Sequence, residues 1–471
     1  MLNHVAVASL APERFEAILT PDQAQELERT IRRGRGLLAG RVVWNVNSTA
    51  RGGGVAEMLA SLIAYARGAG VDSRWVVIEG DEDFFEITKR LHNMLHGSPG
   101  DGGPLGEEEQ ESFSATAERN ALELAELVRP GDLVILHDPQ TAALVRPLKE
   151  RGARVIWRAH IGVDDPGELA RTAWAFLRPH VEAAEAFVFS RRSYAWDWID
   201  AAAVVVIPPS IDAFSAKNQE LASDTVAAIL RAAGIQPGAG DGRPEFTRED
   251  GSPGRVDRLV ELHGGEPVPA DAPVVLQVSR WDRLKDHAGV MQAFCDSIAP
   301  SSGAHLVLAG PSAAAVTDDP EGLEVLHELE ARHRESPPEL RSRMHLMSLP
   351  MDDLQENAAI VNALQRRGDV VVQKSLAEGF GLTVAEAMWK GRPVVASRVG
   401  GIRDQVEEGS SGLLVEPDDL VGFAGAVNGL LADQDRAAEV GAAGREQVRG
   451  GFLGPRHLTQ YVDLFTRLLD D

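Results

Sequence analysis

Glycines and carboxylates gather most densely in QKSLAEGFGLTVAEAMWKGRPVVAS (373–397). A short apolar strand ends at Ser375, a loop carries Glu378, Gly379, Phe380, Gly381 and Leu382, and a helix opens near Thr383. A glycine-containing loop entering a helix N-terminus presents several unpaired backbone N–H groups, which suit a phosphate. Glu386 follows Glu378 about one turn inside that helix, where its carboxylate can reach a ribose diol. With 71 acids in 471 residues, an acid at any chosen offset is common, so the pair means little alone. The flanking GFG and the Gly-Arg-Pro turn into another strand give it weight. Upstream, VVLQVSRWDRLKD places Arg280 just past a strand end and Lys285 in the same loop. That position predicts a diphosphate clamp, with planar bidentate contacts from Arg and a mobile point charge from Lys. No Asp-x-Asp stands at a strand end as a metal-ligand pair; DEDFFE (81–86) and Asp318-Asp319 read as solvated loops. The expectation is no metal and no cofactor, with the two cations neutralising the phosphates.

Such loops need strands that deliver them to a common edge. RVVWNVN (41–47), SRWVVIEG (73–80), DLVILHD (132–138), RVIWRAH (154–160), AFVFS (186–190) and AVVVIPPSID (203–212) are short and almost continuously apolar. Strands buried on both faces of a parallel sheet have this pattern. Helical periodicity lies between them. A second series follows in VVLQVSR (274–280), HLVLAG (305–310), MHLMSL (344–349), DVVVQKS (369–375), RPVVAS (392–397) and GLLVEP (412–417). Repeated βα units imply α/β architecture. The expected arrangement is two Rossmann-like doubly wound domains facing a central cleft, with ligands beyond the carboxyl ends of the strands. Residues 1–233 form the predicted N-terminal domain. The Gly-, Pro- and charge-rich stretch 234–272 reads as a linker or insertion. Residues 273–452 form the second domain, and 453–471 an amphipathic helix returning to the first.

Composition narrows the function. Hydrophobic residues make up 44% and charged residues 25%, which is ordinary for folded domains, and 471 residues exceed one core. The formal charge of −24 disfavours a polyanionic partner, so no nucleic acid is expected. The single Cys295 allows no intrachain disulfide and leaves no basis for a cysteine metal site. The N-terminus lacks a basic n-region, and no apolar run approaches the roughly 18 residues of a membrane span. The expected protein is soluble and cytoplasmic, without a membrane partner; a homodimer is left open.

Arg280, Lys285, the E-x7-E pair and the EGFGLT loop together resemble glycosyltransferase family 4, retaining enzymes of the GT-B fold. A narrower likeness lies in HDPQ (137–140), WRAHIGVDDP (157–166), PPSID (208–212), DDPEG (318–322) and EGFGLTVAEAMWKGRPVV. These resemble the trehalose glycosyltransferring synthases, which implies glucosyl transfer from a nucleoside-diphosphate glucose to free glucose. The resemblance makes Arg280 and Lys285 the phosphate-binding pair, sets Glu378 on the hydroxyls of the transferred sugar, and sets Glu386 on the ribose. Amides from Gly379 to Thr383 would hold sugar and distal phosphate. His160 would lie against the donor sugar. Gly53 and Gly54, in GGGVAE (52–57), would belong to a loop near donor and acceptor. Asp138 is the expected acceptor ligand, with Gln140 a weaker one.

Three other functions compete. A family 4 transferase with another acceptor, such as a sugar phosphate or a natural-product aglycone, would share the donor chemistry. For a phosphate, Arg51, Arg158, Arg191 and Arg192 offer a cationic cluster. A non-catalytic sugar-nucleotide binding protein is expected to have lost Arg280, Lys285 or a motif Glu, and all are present. A dinucleotide oxidoreductase would need G-x-G-x-x-G after the first strand, which is missing.

Overall fold

The computed structural model describes residues 2–50, 53–238, 242–264, 266–312 and 320–470. Arg51, Gly52, Asp318 and Asp319, all named above, lie outside these residues. The chain divides into two units, Met1–Ser210 with Leu453–Asp471, and Ile211–Phe452.

The first unit is built on strands β1 (Asn3–Val5), β2 (Val42–Asn47), β3 (Asp72–Val77), β4 (Leu133–His137), β5 (Arg154–Ala159), β6 (Ala186–Phe189) and β7 (Val204–Val206). They form one sheet in the order β1-β3-β2-β4-β5-β6-β7. All pairs are parallel except β1 with β3. Side chains alternate between faces along each strand. Trp44, Val46, Val134, Leu136 and Trp157 accordingly join Phe84, Phe113 and Trp174 on one face. Val43, Leu133, Ile135 and Ile156 turn the other way, onto Tyr461, Leu464, Phe465 and Leu468. Those four belong to the last helix, Gly454–Asp470, whose apolar residues recur at helical spacing. That sheet face is covered by chain from the far end of the sequence. Replacing Leu464, almost fully buried, by Ala should lower unfolding stability by about 2–4 kcal/mol. Urea titration read through first-unit tryptophans checks this; a loss below about 0.5 kcal/mol would contradict this packing.

The second unit carries β8 (Glu245–Thr247), β9 (Pro253–Arg255), β10 (Glu261–Gly264), β11 (Val274–Val278), β12 (His305–Pro311), β13 (Met344–Leu349), β14 (Val370–Gln373), β15 (Val394–Ser397) and β16 (Leu413–Val415). Its main sheet runs β10-β13-β12-β11-β14-β15-β16, parallel apart from β10 with β13. All twelve strands expected from the apolar runs are present. The two sheets are doubly wound, but only the second has the strand order of a dinucleotide-type sheet. In the first, the order reverses one strand earlier, as in flavodoxin-like sheets.

Two boundaries differ from the sequence reading. The first unit ends at Ser210, not at 233. Helix Ser223–Ala232 packs on helix Leu354–Arg367 of the second unit, and periodicity alone cannot say which sheet a helix covers. The stretch 234–272 is not a linker. It forms the β8–β9 hairpin and the antiparallel edge strand β10, each too short to show an apolar period. Arg248 pairs with Asp353, the N-cap of helix Leu354–Arg367. The Asp257 and Arg258 amides both donate to Glu356 at 2.7 Å.

Candidate active site

Where the strand order reverses, loops from two adjacent strands leave in opposite directions and open a crevice at the carboxyl edge. In the second unit the reversal lies between β11 and β14. The loop after β11 carries Arg280 and Lys285; the loop after β14 carries Glu378 and the glycines. The structure brings these together. Lys285 Nζ lies 2.6 Å from Glu378 Oε2. Ser375 Oγ also points at that oxygen, at 3.4 Å, and is itself held by Gln373. An ammonium has three N–H donors, so a Lys that spends one on Glu378 can direct the others at a phosphate. Arg280 is 62% exposed and rests on Asp282 of its own loop at 3.1 Å.

The glycines have distinct work. Gly381 sits at φ +82°, just before helix Leu382–Trp389, in a region that L side chains rarely adopt. A Cβ there would also stand 2.9 Å from Ile402. The Gly401 amide donates to Gly379 O at 3.1 Å, and Gln405 Nε2 donates to Phe380 O. Both carbonyls are turned away from the helix N-terminus by these bonds. Thr383 Oγ1 donates to Gln373 Oε1 at 3.0 Å, tying the first helical turn to β14.

Glu386 lies deeper than the sequence suggests. It is 4% exposed, with Oε1 3.6 Å from Lys217 Nζ and Oε2 without a hydrogen-bond partner. Lys390, one turn on, gives its ammonium to Asn218 Oδ1 at 2.8 Å and to Glu386 O at 3.1 Å. Burial lowers the Lys390 pKa, opposed by the Glu386 charge.

In the first unit the reversal falls between β2 and β4. Gly53 and Gly54 open helix Gly53–Gly68 after β2. Asp138 follows β4, and His160 follows β5. These two are joined: the His160 amide donates to Asp138 Oδ1 at 2.7 Å. Asp138 has φ +64° and ψ 179°, a conformation costly for any residue but glycine. It is held there because its N–H donates to Arg158 O at 2.8 Å while Trp157 Nε1 donates to its carbonyl at 3.2 Å. Gln140 lies half-buried in the turn Pro139–Leu144 that follows.

Beneath them Arg158 is fully buried, and its neighbours are neutral side chains and a carbonyl. It meets His457 Nε2 at 3.2 Å, the Tyr461 hydroxyl, Ile207 O at 3.2 Å and His160 Nδ1 at 3.4 Å. His160 Nε2 in turn lies 3.0 Å from His137 Nδ1. Burial first, then the Arg158 charge, pushes His137, His160 and His457 well below the usual histidine range. All three are neutral at physiological pH. Enclosure pushes the Asp138 carboxyl up to about 7, against the pull of the His160 amide and Arg158.

Sequence reasoning overlooked Gln277, Asp286, Lys374 and His137. Each stands within or beside a quoted motif, but neither a polar residue inside a strand, such as Gln277 or His137, nor a loop residue whose partner is remote in sequence, such as Lys374 or Asp286, carries a spacing signal of its own.

Two doubly wound α/β sheets with polar loops at their reversal points host many chemistries, and comparison with known proteins assigns the class. A family model described as "Glycosyl transferases group 1" matches residues 272–433, and one described as "Trehalose synthase, N-terminal domain" matches 45–196. The solved sucrose-phosphate synthase of Thermosynechococcus elongatus, a GT-B enzyme, superposes with a TM-score of 0.63 at 19% identity, over 91% of this chain and 99% of that one. The trehalose synthase of Rubrobacter xylanophilus is 35% identical over the full length of both chains. That of Pyrococcus horikoshii is 32% identical over 97% of this chain and 96% of the other. The chain belongs to the trehalose synthase family of group 1 glycosyltransferases. A more distant relative, the trehalose phosphorylase of Pleurotus pulmonarius, is 26% identical over 82% of this chain and 52% of that one. Among the described residues no helix is long and apolar enough to cross a membrane.

The enclosed Asp138 makes stability pH-dependent. A carboxyl that titrates near 7 when folded and near 4 when unfolded favours the fold below pH about 4, and that contribution fades as pH rises to 7. Asp138→Asn should therefore flatten the fall in stability between pH 4 and 7, by about 1–4 kcal/mol. Urea midpoints across that range decide it; identical slopes in both proteins would refute the assignment.

Proposed function

We propose that the protein transfers glucose, with retention of the α configuration, from a nucleoside-diphosphate glucose to free glucose, giving α,α-1,1-linked trehalose and the nucleoside diphosphate. The observation that carries this reading is the Lys285–Glu378 contact at a strand-order reversal, beside the N-terminus of helix Leu382–Trp389. A cation, a carboxylate and the amides of a helix start lie there together, which supports a site for phosphate and sugar. The family membership supplies the reaction type.

In this reading the diphosphate lies along Arg280, Lys285 and the amides near Leu382 and Thr383. Glu378 and the Gly379–Gly381 backbone hold the glucosyl hydroxyls. The bond between the anomeric carbon and the β-phosphate oxygen breaks as the acceptor oxygen approaches on the same face. The acceptor's proton passes to the departing phosphate oxygen. Charge growing on that phosphate is stabilised by groups already in place. Retaining glycosidases set two carboxylates about 5 Å apart around the reacting carbon, one as nucleophile. Glu378 is instead tied to Lys285, so no covalent glucosyl-enzyme forms on it. Arg280 and Lys285 do the work that a divalent ion does elsewhere, and the reaction proceeds without metal. Glu386 takes the ribose through its unpartnered oxygen, with Lys217 shifting to expose it.

A neutral acceptor fits better than a sugar phosphate. Arg158 is buried against His457 and Tyr461, and Arg191 is paired with Asp164. Two of the four cations that a phosphate acceptor would call on are thus committed elsewhere. Asp138, at the other unit's reversal point, suits a hydroxyl.

Incubation with UDP-, ADP- and GDP-glucose plus glucose should yield α,α-trehalose by NMR, unaffected by EDTA. A product with a β linkage, or EDTA inhibition reversed by Mg²⁺, would overturn the retaining or metal-free reading. A parallel arm with glucose 1-phosphate in place of the nucleotide sugar tests phosphorolysis-type chemistry, and turnover only there would replace the donor. Lys285→Ala should lower kcat by about 100-fold or more, the scale for losing one preorganised donor to a developing anion. A change confined to KM would move Lys285 to ground-state binding.

A further inference from the structure

The reading above leaves one buried charge unused. Lys374 is 1% exposed, directly before Ser375, in the loop that carries Glu378. Its ammonium does not face the crevice loops' glycines. It pairs with the Asp286 carboxylate and donates to Pro417 O at 2.7 Å. Asp286 is the residue after Lys285, and it stands in the left-handed region at φ +47°, ψ +45°. Such a conformation is tolerated by Asp but is still uphill, and it persists where surrounding contacts over-determine it. Both carboxylate oxygens are used for that. Oδ2 meets Lys374, and Oδ1 accepts from Gly289 N at 3.0 Å, capping the next helix. A Cβ on Gly289 would stand 2.2 Å from the carboxylate, so glycine there keeps the space open.

Two further ties join the same loops. Gln277, fully buried in β11, donates from Nε2 to Lys285 O at 2.8 Å and accepts the Lys374 amide on Oε1 at 3.4 Å. The Leu376 amide donates to Leu284 O at 2.7 Å. The residues flanking Lys285, Leu284 and Asp286, are therefore tied to Leu376 and Lys374 of the loop that carries Glu378. Their ends meet above it, where Lys285 Nζ reaches Glu378 at 2.6 Å.

We propose that Lys374 is a positioning residue: with Asp286 it locks the left-handed turn that aims Lys285 at the diphosphate, and it makes no contact with substrate itself. The chain rotates backbone direction at Asp286, so a turn released to an ordinary conformation swings the preceding Lys285 side chain off Glu378. A buried ammonium does this better than a hydrogen bond between neutral groups. It fixes the carboxylate from behind, while the loop above remains solvent-accessible to the ligand.

This rests on the diphosphate reading of the same crevice, and the test separates the two. Lys374→Met alone leaves the half-buried Asp286 carboxylate unpaired, which confounds a loss of positioning with a loss of stability. The informative variant is Lys374→Met with Asp286→Asn, which removes both charges and keeps a residue that tolerates the left-handed turn and caps the helix. Calorimetric titration with UDP, ADP and GDP, and trehalose-forming kinetics, are run on the wild type, on this pair, on Lys285→Ala, and on all three changes combined, with Tm for each. The paired variant is expected to keep its Tm within about 5 °C, to bind the preferred diphosphate about tenfold more weakly and to lose about tenfold in kcat. The decisive expectation is non-additivity: once the pair is gone, Lys285→Ala costs little more, because Lys285 is already misdirected. Fully additive losses, or wild-type affinity in the paired variant, would overturn the positioning role and leave the diphosphate reading intact. A wild type that binds none of the three diphosphates would overturn both.

Discussion

Parallel strands that reverse their order must send neighbouring loops to opposite faces of the sheet, and the gap so created is the constraint on which both polar centres depend. In the second unit the gap between β11 and β14 is narrow enough for Lys285 to touch Glu378 across it. Neither residue is close to the other along the chain. Their meeting follows from hydrogen bonding of β11 to β14, which skips the whole of β12 and β13. The apolar strand centres serve the site by fixing that register: Val275 against Val370 and Leu276 against Val371 set how far each loop projects.

Charge inside the protein is arranged by the same logic. Arg158 and Lys374 are both buried cations near a crevice, yet they are compensated differently. Lys374 has a carboxylate and a carbonyl; Arg158 has a carbonyl, a phenol and imidazole nitrogens. Because Arg158 can only donate, each histidine nitrogen facing it must accept. Its neighbour His160 therefore presents Nδ1 to Arg158 and a proton on Nε2 to His137. Tyr461 and His457 come from the last helix, so chain distant in sequence helps set the tautomer of a residue expected to meet the sugar. Burial, reinforced by the adjacent guanidinium, disfavours an imidazolium at His160 and holds the histidines neutral.

Legibility differed sharply between features. Strands buried on both faces announce themselves through uninterrupted runs such as VVLQV and LVILH, and the E-x7-E loop stood out through residue types at fixed spacing. What resisted reading was anything decided by packing partners. Helix Ser223–Ala232 has the periodicity of any amphipathic helix, and only its contact with Leu354–Arg367 assigns it to the second unit. Strand β10 spans Glu261–Gly264, a polar stretch whose one virtue is an unpaired edge of β13 to sit on. Glu386 was legible as a functional type, but its depth beside Lys217 and Lys390 was not, because Lys217 arrives from a segment remote in sequence.

The contrast between the two carboxylates that crown the sheets carries the argument furthest. Glu378 meets an ammonium at 2.6 Å. Asp138 has no ammonium or guanidinium on its oxygens; its hydrogen bond comes from a backbone amide, and enclosure favours the protonated form. A carboxyl that titrates near neutrality can either accept or donate a hydrogen bond. Strain enters on the Asp138 side alone among these two, since φ +64° is imposed by the Arg158 carbonyl and the Trp157 indole rather than chosen by the residue. Glycine would adopt that backbone at less cost, so an Asp stands there at the expense of stability, and its carboxyl oxygen orders the start of the loop after β5 through the His160 amide.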